Sequence, residues 1–158
     1  GESMKKAVSI IVMIIMNLYR GNNWEVIFVN WCQEFPGDCI VSCSKEKLSD
    51  LTNEDWIELG LIEKELERIT KKLFNATMYN FACLMNNAYR DKEKPHVHFH
   101  FIPRYDGKRI ILNKRYKDRH FGYNMWKWSL SKFKAQKDIF TKEEKEEIFK
   151  MMQKEWNL

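Results

Sequence analysis

The chain has 158 residues and a mass of 19.2 kDa, room for one well-cored domain and too little for two. With 44% hydrophobic residues, 14% aromatic, 6 glycines and 3 prolines, it has the side chains to fill a core, which excludes a fibrous, disordered or linker protein. Its 27 Lys and Arg against 22 Asp and Glu leave a net charge of +5, a mild bias toward anionic partners and far short of a DNA-packaging protein.

Taken in chain order, Gly1 to Ser3 ahead of Met4 read as a cloning remnant, and residues 4–158 as one domain. Lys5 and Lys6 followed by the apolar run Ala7 to Met16 imitate a secretory signal, but the run is too short to cross a bilayer and no small-x-small cleavage site follows. Its β-branched Val8, Ile10, Ile11, Val12, Ile14 and Ile15 instead predict an element buried on both faces. No membrane partner is expected.

Trp24 to Asn30 and Asp38 to Cys43 read as strands of a hairpin, with turn signals in Glu34-Phe35-Pro36-Gly37. Cys39, Val41 and Cys43 then share one buried face. Together with Cys32 and Cys83, these cysteines form no Cys-x-x-Cys pair and no zinc-ribbon spacing, so they read as the reduced thiols of a cytoplasmic protein. Thr52 with Asp55 resembles a helix cap, and Leu59, Ile62, Leu66, Ile69 and Leu73 recur behind it at helical spacing. That stripe is core.

Thr77 to Met85 predicts a strand, Asn86 to Pro95 a polar loop and His96 to Arg104 a further strand. From Arg104 to Lys137, 11 Lys and Arg stand against 2 Asp, enough positive charge to concentrate anions nearby. Within that stretch Trp126, Trp128 and Phe133 interleave with Lys127, Lys132 and Lys134. Packing on the sheet is favoured for these aromatics over a stacking surface for single-stranded nucleic acid. His120, isolated among basic residues, reads as surface. Thr141-x-x-Glu144 opens a closing helix from Lys142 to Trp156, with Ile148, Met151, Met152 and Trp156 on its apolar side. The order of elements argues an α+β fold with a mainly antiparallel sheet.

Three of the four histidines fall within Pro95-His96-Val97-His98-Phe99-His100-Phe101-Ile102-Pro103-Arg104. Strand alternation puts His96, His98 and His100 on one face and Val97, Phe99 and Phe101 on the other, toward a core. Residues sharing a face are about 6.6–6.8 Å apart, so His96 and His100 stand roughly 13 Å apart at the backbone. One zinc, with bonds of about 2.0–2.1 Å to nitrogen, does not readily collect all three, and a metal site would need a further ligand such as Asp38 or Glu93. A row of imidazoles suits attack on phosphorus better. The central neutral nitrogen is nucleophilic near its ordinary pKa of about 6.5, and its neighbours can donate to phosphate oxygens.

His-Val-His-Phe-His-Phe-Ile resembles the HxHxHxx signature, with apolar x, of the histidine triad (HIT) superfamily of nucleotide hydrolases and transferases. Pro36-Gly37, Leu48-Ser49-Asp50-Leu51-Thr52 and Pro103-Arg104 sit where HIT proteins have them. Cys83-Leu84-Met85-Asn86-Asn87-Ala88-Tyr89-Arg90-Asp91 is similar to a bacterial HIT-like subgroup. The likeness runs from Trp24 to Arg104, with an echo in Phe121-Gly122.

The resemblance implies a HIT-like α+β fold: a mainly antiparallel five-stranded sheet with a long central helix and a C-terminal helix, paired as a homodimer with one continuous sheet. It implies attack at the α-phosphate of a purine nucleotide, without cofactor or metal. Candidate substrates are a nucleoside phosphoramidate, a dinucleoside polyphosphate or a related adenylylated compound. His98 would form the nucleotidyl-histidine intermediate, His100 would contact the phosphate or leaving group, and His96 would support the row. Asn86 falls near the family's asparagine or glutamine that binds ribose or phosphate, and Asn30 lies where the nucleoside pocket begins. Asn87, Lys92 and Glu93 complete the candidate substrate-binding set.

Two departures stand out. Asp38 takes the place of a histidine that many HIT enzymes have beside the first triad histidine, and the segment before the triad is the bulky, charged Lys92-Glu93-Lys94. They leave open a nucleotide-binding module with little or no catalysis.

Overall fold

The computed structural model describes residues 16–124 and 137–158. The apolar run at 7–15 and the aromatic-basic stretch holding Trp126, Trp128 and Phe133 lie outside the described residues. A five-stranded antiparallel sheet is built from β1 (Asn17–Arg20), β2 (Trp24–Phe28), β3 (Cys39–Cys43), β4 (Met78–Ala82) and β5 (His98–Arg104), in the order β1-β2-β3-β5-β4. The long helix α1 (Asn53–Phe74), a short helix α2 (Asn86–Asp91) and the closing helix α3 (Lys142–Glu155) join it in an α+β fold. A separate hairpin pairs β6 (Lys108–Ile111) with β7 (Lys114–Lys117).

Alternation along each strand decides which face is covered. Trp24, Val26 and Phe28 of β2, Cys39, Val41 and Cys43 of β3, and Phe101 of β5 are buried together with Leu59, Ile62, Leu66 and Ile69 of α1 and Ile148, Phe149 and Met152 of α3. Both helices therefore pack on one side of the sheet and leave the other side to carry polar groups. Helix α1 starts where Thr52 accepts from Asp55 N at 3.2 Å while the Asp55 carboxylate accepts from Thr52 N at 2.8 Å. Buried Asp55 also accepts from Asn23 Nδ2 at 2.6 Å and pairs with Lys45 at 3.0 Å, tying the start of α1 to the β1–β2 turn and to the end of β3.

The β2–β3 connection depends on Gly37. Its φ of +95° lies in the left-handed region, and a Cβ there would meet Thr70 Cγ2 at 2.6 Å. The chain thereby passes close over α1, with the Tyr105 hydroxyl donating to the Pro36 carbonyl.

Three sequence expectations need correction. His96 precedes β5 rather than opening it, because the strand begins at His98. Asn86 to Asp91 form a helical turn and not a loop, entered through Met85 at φ 56° and left through Lys92 at φ 54°. Strands β1, β6 and β7 were not anticipated. At four residues each they are too short to show alternation, and the β6–β7 turn rests on Leu112 and Asn113, both at positive φ.

Candidate active site

The histidine row is positioned by what lies beneath it. Val97 and Phe101 are completely buried, and the Phe99 ring stacks on Phe81 at 4.8 Å with edge contacts to Trp24 and Trp56. These anchors turn His98 and His100 to the opposite face. Val97 N donates to Lys45 O at 2.7 Å and Val97 O accepts from Cys43 N at 3.0 Å, so the segment just before β5 stays pinned to the sheet although it is not strand. The three imidazoles are consequently adjacent: ring centres are 4.9 Å apart for His96 and His98, and 5.4 Å for His98 and His100.

His98 Nδ1 lies 3.0 Å from the His96 carbonyl oxygen. A carbonyl only accepts, so this contact requires the proton on Nδ1, and in the neutral ring that tautomer leaves the lone pair on Nε2. Burial, and then the neighbouring His98, hold His100 below the ordinary imidazole value. The same two causes lower His96, opposed by the Glu25 carboxylate. Both flanking rings therefore favour the neutral form, in which each keeps one N–H donor and one acceptor.

Cross-strand pairing extends the site sideways. Glu25, Ser42 and His98 form one transverse row and Ile27, Ile40, His100 and Ala82 the next, so a polar strip adjoins an apolar one. Glu25 and Ser42 were missed in the sequence. The alternation of Trp24-Glu25-Val26-Ile27-Phe28 already put Glu25 on the uncovered face, but only the register ties it to the triad.

The remaining candidates separate into two groups. Asn30 follows β2, and the amide of its neighbour Val29 donates to Asp38 O at 3.1 Å, so Asn30 stands at the Ile102 end of the row. Asn86 and Asn87 open α2, while Lys92 and Glu93 follow it, all exposed on the segment that leads into His96. No hydrogen bond or ion pair among the described residues links these four to an imidazole; Lys94 in the same loop pairs with Glu46 at 3.2 Å. Asp38, expected beside the first histidine, is instead level with Ile102, past His100. Among the described residues no group of three or more His, Cys, Asp or Glu is placed to hold a metal ion.

At that same end Arg104 is wholly buried. It donates through Nε to Asp118 at 2.6 Å, through Nη2 to Asp118 at 3.0 Å and to the His120 carbonyl at 2.6 Å, and through Nη1 to Asn80 at 3.0 Å, with its guanidinium 4.8 Å from the Phe35 ring centre. His120, read from the sequence as surface, is half-buried and joined to this network by its backbone. No helix among the described residues is long and apolar enough to cross a membrane.

No family model matches the chain. The nitrilase and fragile histidine triad fusion protein NitFhit of Caenorhabditis elegans is 26% identical over 93 residues, which cover 58% of this chain and 21% of that protein. The chain thus spans about a fifth of the length of the curated relative it matches. Among solved structures, a histidine triad protein from Marinobacter aquaeolei VT8 superposes with a TM-score of 0.62 at 19% identity, covering 91% of each chain. Plasmodium falciparum diadenosine triphosphate hydrolase superposes with a TM-score of 0.54 at 20% identity, covering 88% of this chain and 74% of that one.

Proposed function

We propose that this chain, which has the fold of the histidine triad proteins, is a nucleotidyl hydrolase or transferase that attacks the α-phosphate of a purine nucleotide derivative through His98. The observation that carries the reading is the His98 Nδ1 contact with the His96 carbonyl at 3.0 Å, which leaves Nε2 as the nucleophile. Nε2 forms a bond to phosphorus as the bond to the leaving group breaks, and water then cleaves the nucleotidyl-His98 intermediate. His100 donates to a phosphoryl oxygen, while His96 fixes His98 through its carbonyl and flanks the leaving group. The substrate class is a nucleoside phosphoramidate, a dinucleoside polyphosphate or a related adenylylated compound. The solved neighbour from Plasmodium falciparum, a diadenosine triphosphate hydrolase, supports the second of these.

Asn30 belongs to the nucleoside end of the site. Asn86, Asn87, Lys92 and Glu93, on the segment leading into His96, belong to the leaving-group end. We take the protein to be cytoplasmic, on the ground of its four free cysteines, and homodimeric through the outer edge of β4, which pairs with no strand among the described residues.

Mass spectrometry of the intact chain after incubation with adenosine phosphoramidate and diadenosine triphosphate tests the reading. A nucleotidyl adduct that maps to His98, together with product release, is the expected result. Binding without adduct or product over hours would instead identify a nucleotide-binding module.

A further inference from the structure

Past His100 the imidazole-bearing face changes character. Ile40 pairs with His100 on one side and with Ile27 on the other, giving an apolar step in the sheet. Asp38 lies two residues before Ile40, and its neighbour Cys39 is fully buried in the core, so alternation turns the Asp38 side chain to the imidazole face. The Asp38 carbonyl accepts from Val29 N at 3.1 Å and from Gln33 Nε2 at 3.0 Å, which holds its backbone beside Asn30.

The Asp38 carboxyl is half-buried and has no hydrogen bond or ion pair among the described residues. Two other carboxylates of this end have cations of their own. Asp118 receives Arg104, and Asp138 receives Lys145 at 3.0 Å and the amides of Gln33 and Phe140, each at 3.0 Å. Arg104, buried at this end, donates to Asp118, Asn80 and the His120 carbonyl, and no hydrogen bond or ion pair among the described residues joins it to Asp38. Burial and the nearby Glu34 charge raise the Asp38 carboxyl well above the usual carboxylate range. A half-buried acceptor with no donor from the protein but with its oxygens still reachable from outside is one that a ligand's N–H groups can satisfy.

We propose that Asp38 reads the edge of the nucleobase, selecting a purine that presents two adjacent N–H donors, as guanine does, over adenine. This rests on the nucleotide reading of the histidine row and narrows its purine, ranking guanosine derivatives above the adenosine ones within the same substrate classes. From His98 to the level of Ile102, which faces Asp38, is four residues of strand, roughly 13 Å. That is farther than a phosphate held at His98 stands from its own ribose hydroxyls, and it suits the outer edge of a purine lying over Ile27 and Ile40. Guanine offers a ring N–H and an exocyclic amino group to the two oxygens of the ionised carboxyl, and that pairing offsets the burial and the Glu34 charge that raise its pKa in the free chain. Adenine offers a ring acceptor at the corresponding position, which opposes a carboxylate.

Calorimetric titration of the whole chain with GMP, IMP and AMP tests the assignment. GMP is expected to bind about tenfold or more tightly than AMP, with IMP between them. The GMP-to-AMP ratio is expected to fall toward one in Asp38→Asn and Asp38→Ser, with melting curves confirming that the variants fold. Equal affinities in the wild type, or a ratio unchanged in both folded variants, would overturn the base assignment while the nucleotide reading stands. Failure of all three nucleotides to bind, together with turnover indifferent to His98→Ala, would overturn both.

Discussion

The Nδ1 atom of His98 meets the backbone oxygen of His96 at 3.0 Å, so the first residue of the row orients the second through its main chain and not its ring. Removing the His96 ring should therefore hurt less than removing the His98 ring. His98→Ala and His98→Asn are expected to lower kcat by on the order of 10³-fold or more with the melting temperature little changed. His96→Ala should retain the His98 tautomer and lose less. Steady-state kinetics on a phosphoramidate substrate, with a thermal melt of each variant, checks the ranking; equal losses would remove the special role of His98.

The lowered pKa values of His96 and His100 set the sign of the pH dependence. Both rings are neutral at pH 7, so turnover should stay level through neutrality and decline only as pH falls below the ordinary imidazole value of 6.5. Folding follows the same direction. A depressed folded-state pKa means that stability is present above the unfolded value and is lost as pH falls through the folded one. Asp38 runs the opposite way in the chain without nucleotide: its raised pKa makes the folded state bind the proton more tightly than the unfolded one, so its contribution is full below the unfolded value and is lost as pH rises through the folded one. Urea unfolding of the wild type, His96→Gln/His100→Gln and Asp38→Asn between pH 4 and 8 separates the two slopes. A wild-type activity midpoint above the ordinary imidazole value would contradict the histidine assignment.

The sheet and the triad were legible in the sequence because both are written in periodicity. Val97, Phe99 and Phe101 announce one face, the histidines the other, and Thr52 with Asp55 marks the start of α1. What could not be read depends on register. Glu25 reaches the triad through Ser42, and Asp38 falls level with Ile102 instead of His96, because of pairings between strands far apart in the chain. Arg104 was visible only as the Arg of a Pro-Arg pair. Its burial is created by Asp118, Asn80 and Phe35, contributed by three separate segments.

Arg104 and Asp118 form an ion pair with both side chains fully buried. Breaking it from one side leaves an uncompensated charge in the protein, so Arg104→Met or Asp118→Leu should each destabilise by about 3–5 kcal/mol. The double variant Arg104→Met/Asp118→Leu removes both charges and should cost less than the sum of the singles. Chemical denaturation provides the cycle, and strict additivity would show that the pair is not coupled. Because the network also holds Asn80 and the His120 carbonyl at the Ile102 end of the row, where the nucleoside is proposed to sit, the folded double variant should raise KM more than it lowers kcat.

β4 is the outermost strand next to β5, and among the described residues no strand pairs with its other edge. Trp56 is 45% exposed, Ile57 64% and Leu61 48%, on the N-terminal half of α1, where a solvent-facing helix surface ordinarily carries charge. The Trp56 ring makes an edge contact with Phe99, which itself stacks on Phe81 of β4, so these side chains connect the helix surface to the open strand. An unpaired edge beside exposed apolar residues favours joining to a second copy, since two-fold pairing satisfies the strand amides and covers the aromatics together. Sedimentation velocity should give a dimer for the wild type at micromolar concentration. Ile57→Glu/Leu61→Glu should shift it to monomer without loss of fold, because both side chains face away from the core. A wild type that sediments as a monomer at every concentration would sink the dimer. A dimer that survives both charges would instead locate the contact elsewhere than on this face of α1.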